Sequence, residues 1–86
     1  KGMVLSNEAQ AYRIERHLYE YRNMDDEALV VEAHPDVARV LKELKEKLEQ
    51  KVIYKIYILE NSFLKQQQYS IPYIGTTEEA KRRVMK

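Results

Sequence analysis

The sequence predicts a small α/β (α+β) domain. The expected architecture is a two-layer sandwich in the order helix-strand-helix-strand-strand, with helices packed on one face of a small mixed three-stranded sheet. Three observations predict it. Residues 7–21 and 37–48 repeat apolar side chains at helical spacing. Three short stretches, 28–33, 52–59 and 69–74, are dominated by apolar, branched or aromatic residues. Only two Gly and two Pro occur in 86 residues, so the elements are long and the joints short. A chain of this length makes one core. Residues 1–75 are expected to form the domain, with 76–86 as a C-terminal tail or short helix.

The first helix begins at Ser6-Asn7-Glu8, where Asn7 is a candidate cap and Gln10 completes a capping box. Ala11, Ile14, Leu18 and Tyr21 form its apolar stripe, flanked by Tyr12 and Tyr19, while Arg13, Glu15, Arg16 and Glu20 sit elsewhere on its surface. Asn23, Asp25 and Asp26 end it, because short polar side chains compete for backbone hydrogen bonds. Ala28-Leu29-Val30-Val31-Glu32-Ala33 is nearly continuously apolar and reads as a strand covered on one face and largely on the other. His34-Pro35-Asp36 stops it and starts the next helix, since Pro suits the first helical position and Asp36 the positive helix end. Val37, Val40, Leu41, Leu44 and Leu48 define that helix's buried side, and it is expected to end near Gln50.

Val52 to Leu59 reads as the second strand, with Val52, Tyr54, Ile56 and Ile58 sharing one face and Lys55 and Tyr57 on the other. Tyr69 to Ile74 reads as the third. Pro72 lacks an amide proton and confines it to an edge. The strand-helix-strand unit predicts a parallel pair with a right-handed crossover. The last two strands are expected to pair as an antiparallel hairpin. Glu78-Glu79 followed by Lys81-Arg82-Arg83 suits a short helix with acids first and bases last.

Composition excludes several classes. No apolar run approaches the roughly 18 residues of a membrane span, so no membrane partner is expected. The chain has no cysteine, which removes disulfides, thiolate zinc sites and cysteine nucleophiles and is consistent with a cytoplasmic protein. The net charge of +1 lacks the basic excess of most nucleic-acid binders. Charge is nevertheless uneven: Asp25, Asp26, Glu27, Glu32 and Asp36 cluster without a base, and Lys81, Arg82, Arg83 and Lys86 crowd the C-terminus.

Candidate chemistry is sparse. Glu32, His34 and Asp36 at the end of the first strand have the residue types of a metal or acid-base set; the same residues also serve as a strand end and helix start. His17 has no carboxylate partner identifiable from spacing. No phosphate-binding glycine loop, Ser-His-Asp arrangement or HExxH motif is present. Catalytic, cofactor-binding and metal-ligating residues are therefore assigned to none. Tyr57, Tyr69 and Tyr73 beside Lys55 have the composition of a single-strand stacking platform, and Lys81, Arg82, Arg83 and Lys86 that of a phosphate contact. The same tyrosines equally suit a core edge and a subunit contact.

The segment Glu27-Ala28-Leu29-Val30-Val31-Glu32-Ala33-His34-Pro35-Asp36-Val37-Ala38 resembles the E-A-hydrophobic-V-E-V-H-P-x-V-A passage in the C-terminal small domain of the ribonuclease E/G family. Lys47-Leu48-Glu49-Gln50-Lys51-Val52 is similar to that family's L-E-x-x-x-G-K-x-I passage, although its glycine is replaced by Gln50. Gln68-Tyr69-Ser70-Ile71 is similar to its closing E-Y-x-I strand, and Lys1-Gly2-Met3-Val4 looks like the tail of its zinc-link just past the cysteines. The resemblance covers roughly residues 1–74.

It implies a parent enzyme that is a magnesium-dependent endoribonuclease cutting single-stranded RNA in RNA processing and decay. Magnesium and zinc are expected in that parent and no cofactor in this fragment, whose implied role is a non-catalytic C-terminal assembly domain. Its implied partners are a second copy, as a weak dimer, and RNA through the parent. The alternative is a free-standing RNA-binding domain using the tyrosine face and basic tail.

Overall fold

A computed structural model describes residues 6–85. Helix α1 spans Asn7–Tyr19, strand β1 Ala28–Ala33, helix α2 Pro35–Lys51, strand β2 Lys55–Glu60, strand β3 Tyr69–Gly75 and helix α3 Thr77–Val84. The strands form one mixed sheet in the order β2-β1-β3. The chain is thus a three-helix α+β domain with a small three-stranded sheet. Helices α1 and α2 cover one face, and α3 packs on the other.

The parallel pairing of β1 with β2 follows from the α2 crossover. The expected hairpin between the last two strands does not form: β3 pairs antiparallel with β1 instead. Burial explains the order. All of β1 except Glu32 is buried, with Leu29, Val31 and Ala33 facing one layer and Ala28 and Val30 the other. Only a central strand is dry on both faces. β2 carries exposed Lys55, and β3 carries exposed Pro72, so both take edges.

Pro72 has a second consequence. Val30 pairs with Tyr73 and Glu32 with Ser70, so Ile71 and Pro72 together oppose the single residue Val31. This bulge inverts the side-chain alternation of β3. Tyr69 and Ile71 pack with the α1/α2 layer, whereas Tyr73 packs on the α3 layer. Simple alternation places all three on one side; the unpaired proline residue shifts Tyr73 across.

Local signals set the helix ends. The cap of α1 is Ser6, whose Oγ accepts from Ala9 N at 3.0 Å, one residue earlier than the Asn7 expected. Gln10 does not close a capping box: it is fully buried, and its Oε1 accepts from Arg13 at 3.2 Å. α2 is capped by His34 and runs to Lys51. β2 therefore starts at Lys55 rather than Val52, although Val52 and Tyr54 remain in the core. Thr76 caps α3 by accepting from Glu79 N at 3.2 Å, and Ala80 is fully buried against Ala28 and Val30.

The larger core joins Ala11, Ile14 and Leu18 of α1 to Val37, Leu41 and Leu48 of α2 over Leu29, Val31 and Ile56. Leu44 and Ile58, expected with these, are only partly buried and pack on its rim. Leu41→Ala, at a site 3% exposed, should cost about 2–5 kcal/mol, and Leu44→Ala clearly less. Urea midpoints of the two variants check this; equal losses would misplace the α2 face.

Tyr54, 1% exposed, fills the centre of this core and donates its hydroxyl to Leu18 O at the end of α1. Burial, reinforced by neighbouring Tyr21, pushes the Tyr54 phenol from about 10 up to about 12. A raised phenol favours the neutral form in the folded state. Its contribution is therefore complete below pH 10 and is lost as pH rises through about 12. Tyr54→Phe should be less stable at pH 8 but lack this component of the alkaline loss. Denaturation midpoints of both proteins from pH 8 to 12 measure the difference.

Candidate interaction surface on the first helix

The residues that sequence analysis offers for RNA contact do not assemble into an open platform. Lys55 is exposed on β2, opposite Ala28. Tyr57 is half-buried against the Ala28, Val30 and Ala80 cluster, with Lys45 Nζ 5.4 Å from its ring centre. Lys81, Arg82 and Arg83 are exposed on α3. Arg82 meets Glu79 at 2.8 Å and Glu78 at 3.7 Å, and Arg83 meets Glu79 at 3.1 Å. Lys86 lies outside the described residues.

Each of the other two sheet tyrosines is engaged. The Arg83 guanidinium stacks 4.5 Å from the Tyr73 ring centre. The Tyr73 hydroxyl accepts from Thr76 N at 2.9 Å, which fixes the turn into α3. Gly75 permits this fold-back, because a Cβ there would run into the Tyr73 ring. On the opposite face, the Tyr69 hydroxyl and His17 Nδ1 share a hydrogen bond of 2.6 Å, and the Tyr21 ring lies tilted by 38° with its centre 5.6 Å from that of the histidine. Burial raises the Tyr69 phenol, neighbouring Arg13 opposes the rise, and Glu20 and Tyr21 add to it. His17 is thus a packed link between α1 and β3.

Glu32, His34 and Asp36 also go separate ways. His34 Nδ1 accepts from Asp36 N at 3.1 Å as the α2 cap, and Asp36 pairs with Arg39 at 3.2 Å. The Glu32 carboxylate accepts from Asn61 Nδ2 at 2.9 Å and from Ser70 Oγ at 3.3 Å. Among the described residues no group of three or more His, Asp or Glu could hold a metal ion. No helix of the described residues is long and apolar enough to cross a membrane.

The outward side of α1 is different. Tyr12 and Tyr19 stay 54% and 41% exposed, on the face opposite the buried Ile14 and Leu18. Arg16 lies between them on the same side, with the partly exposed Glu15 beside it. Positions 12, 15, 16 and 19 span about 100° of the helix surface at 100° per residue. Arg22 holds Tyr19 from one side, its guanidinium 4.6 Å from the ring centre. Two clefts of about 370 and 440 Å³ flank the stripe: one between Tyr19 and the Leu48–Lys51 end of α2, the other beside Tyr12 and Ala9. Tyr and Arg are the residue types enriched in interface centres. Their spacing was legible in the sequence; that the face stays uncovered depends on how α1 sits on α2.

No protein-family model, curated protein or solved structure matches the chain.

Because the Tyr73 hydroxyl closes the turn into α3, Tyr73→Phe should cost about 0.5–1.5 kcal/mol. The loss should fall mostly on α3, with faster amide exchange at Ala80 and Val84 than in β1. Uniform acceleration across the sheet would show that the hydroxyl does not act on this turn.

Proposed function

We propose that the chain is a non-catalytic assembly domain of a ribonuclease E/G-like endoribonuclease acting in RNA processing and decay. The sequence resemblance across residues 1–74 supports the family. The observation that carries the assembly role is the exposed Tyr12–Tyr19 stripe on α1, in a domain whose sheet tyrosines are already engaged. In this reading the parent enzyme supplies the cutting chemistry and holds magnesium and zinc elsewhere. The residues present here do not fit either ion: the chain has no cysteine, and its candidate carboxylates and His34 are spent on caps and loop contacts.

The sheet edges favour a helix contact over strand pairing. At the β2 edge, Glu49 of α2 reaches across and its Oε2 accepts from Ile56 N at 2.7 Å. At the β3 edge, Pro72 lacks a donor and bends the strand through the bulge. Both devices discourage strand addition by another chain. The RNA-binding alternative draws on Lys55 and the α3 bases, but Arg82 and Arg83 are paired with Glu78 and Glu79.

Two measurements on the purified chain separate the readings. Sedimentation equilibrium up to about millimolar protein should show a reversible dimer, since a millimolar limit corresponds to only about −4 kcal/mol. Anisotropy of a labelled single-stranded RNA should show no tight binding at about 50 mM salt. A monomer at every concentration, with RNA affinity that collapses between about 50 and 200 mM salt, would reverse the assignment.

A further inference from the structure

Helix α3 lies on a row of aromatic side chains. Val30 of β1 pairs with Tyr57 of β2 on one side and with Tyr73 of β3 on the other. The two tyrosines therefore flank Val30 in one line across the sheet, on strands about 10 Å apart at the usual spacing. Both pack on the α3 layer with Ala28 and Val30, and Ala80 of α3 is fully buried in the same cluster. Each ring also faces a cation. Arg83 lies 4.5 Å from the Tyr73 ring centre, and Lys45 Nζ lies 5.4 Å from that of Tyr57. Lys55 is two residues before Tyr57 on β2, so it shares that face, and it is exposed.

We propose that α3 is an autoinhibitory cover over a single-stranded RNA stacking site formed by Tyr57 and Tyr73 on this face of the sheet. The inference goes beyond the assembly reading and does not use the α1 surface. With α3 closed the chain does not bind RNA tightly; with α3 displaced it does.

The cover is weakly held. α3 has eight residues, too few to keep a helix on their own. Of its side chains Ala80 is buried and Val84 partly so, while Glu78, Lys81, Arg82 and Arg83 are exposed. Its start is tied by exposed polar contacts: Thr76 N donates to the Tyr73 hydroxyl and Thr77 N to Glu27 Oε1, both at 2.9 Å. Few buried apolar contacts and exposed hydrogen bonds mark the segments that open first. The closed helix also neutralises its own bases, since Glu78 and Glu79 pair with Arg82 and Arg83. Unwinding α3 breaks these pairs and uncovers both rings together. Nucleic-acid bases stack on tyrosine with little regard to sequence, and Arg82, Arg83, Lys45 and Lys55 then have phosphates to meet. Glu32, on the same face, turns its carboxylate to Asn61 and Ser70. Ala28 and Val30 lose stability when wet, so the empty face closes under α3 and opens only to a ligand that covers it. The cations beside both rings favour a phosphate chain over an apolar helix face as that ligand.

Loosening α3 in the full chain tests this. Lys81→Pro places a proline at an exposed position inside α3 and breaks the helix. Tyr73→Phe keeps the ring but removes the hydroxyl that closes the turn. Faster amide exchange at Ala80 and Val84, with β1 still protected, verifies that a variant opens α3 alone. Apparent affinity rises with the open fraction. Fluorescence anisotropy of a labelled oligouridine at about 50 mM salt should therefore show Tyr73→Phe binding about 2- to 10-fold tighter than wild type. Lys81→Pro should bind at least about tenfold tighter. Adding Tyr57→Leu to Lys81→Pro should cost about fivefold or more of that gain, because one stacking ring is lost. If Lys81→Pro opens α3 and binds no tighter than wild type, the inference is wrong. If the gain survives Tyr57→Leu, the freed bases bind alone and the stacking site is wrong. An opened variant that self-associates without binding RNA assigns the face to a protein helix and overturns the proposal. Should Lys81→Pro unfold the domain, Tyr73→Phe decides, and unchanged affinity in that variant sinks the idea. Sedimentation of the wild type reads the assembly role separately, so neither result decides the other.

Discussion

The fold depends on β1 being dry on both faces. Five of its six residues are fully buried, and they alternate between two separate apolar clusters. Leu29 and Val31 anchor the α1/α2 layer; Ala28 and Val30 anchor the α3 layer. Fully burying each Leu or Val side chain contributes about 1.5–3 kcal/mol, so this one strand supplies a large part of what an 86-residue chain has. It also imposes the topology. A strand needing cover on both faces takes the middle, which sends the two strands with polar or proline interruptions to the edges. The eight-residue connection 61–68 carries the chain from one edge to the other. Asn61 secures its start through Ala33 O, Glu32 and Phe63 N.

The elements themselves were legible because periodicity and capping are local. All three strands, both long helices and the short α3 follow from apolar spacing, from the Asn7 and Pro35 starts, and from the order of Glu78-Glu79 before Lys81-Arg82-Arg83, with the α1 cap one residue off and the Thr76 cap unread. The strand order was not read, although the information was present. The run Ala28–Ala33 is more uniformly apolar than either other strand, and that favours a central position over a hairpin neighbour's edge. The β3 bulge is harder. Pro72 marks an edge or a bulge equally well, and only the pairing of Val30 with Tyr73 and Glu32 with Ser70 separates the two. A one-residue slip changes which face every later side chain occupies, so Tyr73 could not be placed from alternation alone.

The candidate site divides along the same line. The aromatic and basic residues on β2, β3 and α3 look available in sequence because composition does not reveal partners. In three dimensions His17 takes Tyr69, Arg83 and Thr76 take Tyr73, and Glu79 takes Arg82 and Arg83. Tyr54 joins the core through Leu18 O. Contacts between residues 17 and 69, or 18 and 54, have no local signature. The α1 stripe is the reverse case: its spacing is entirely local, but its availability is decided by the packing of Ile14 and Leu18 on the opposite side of the helix.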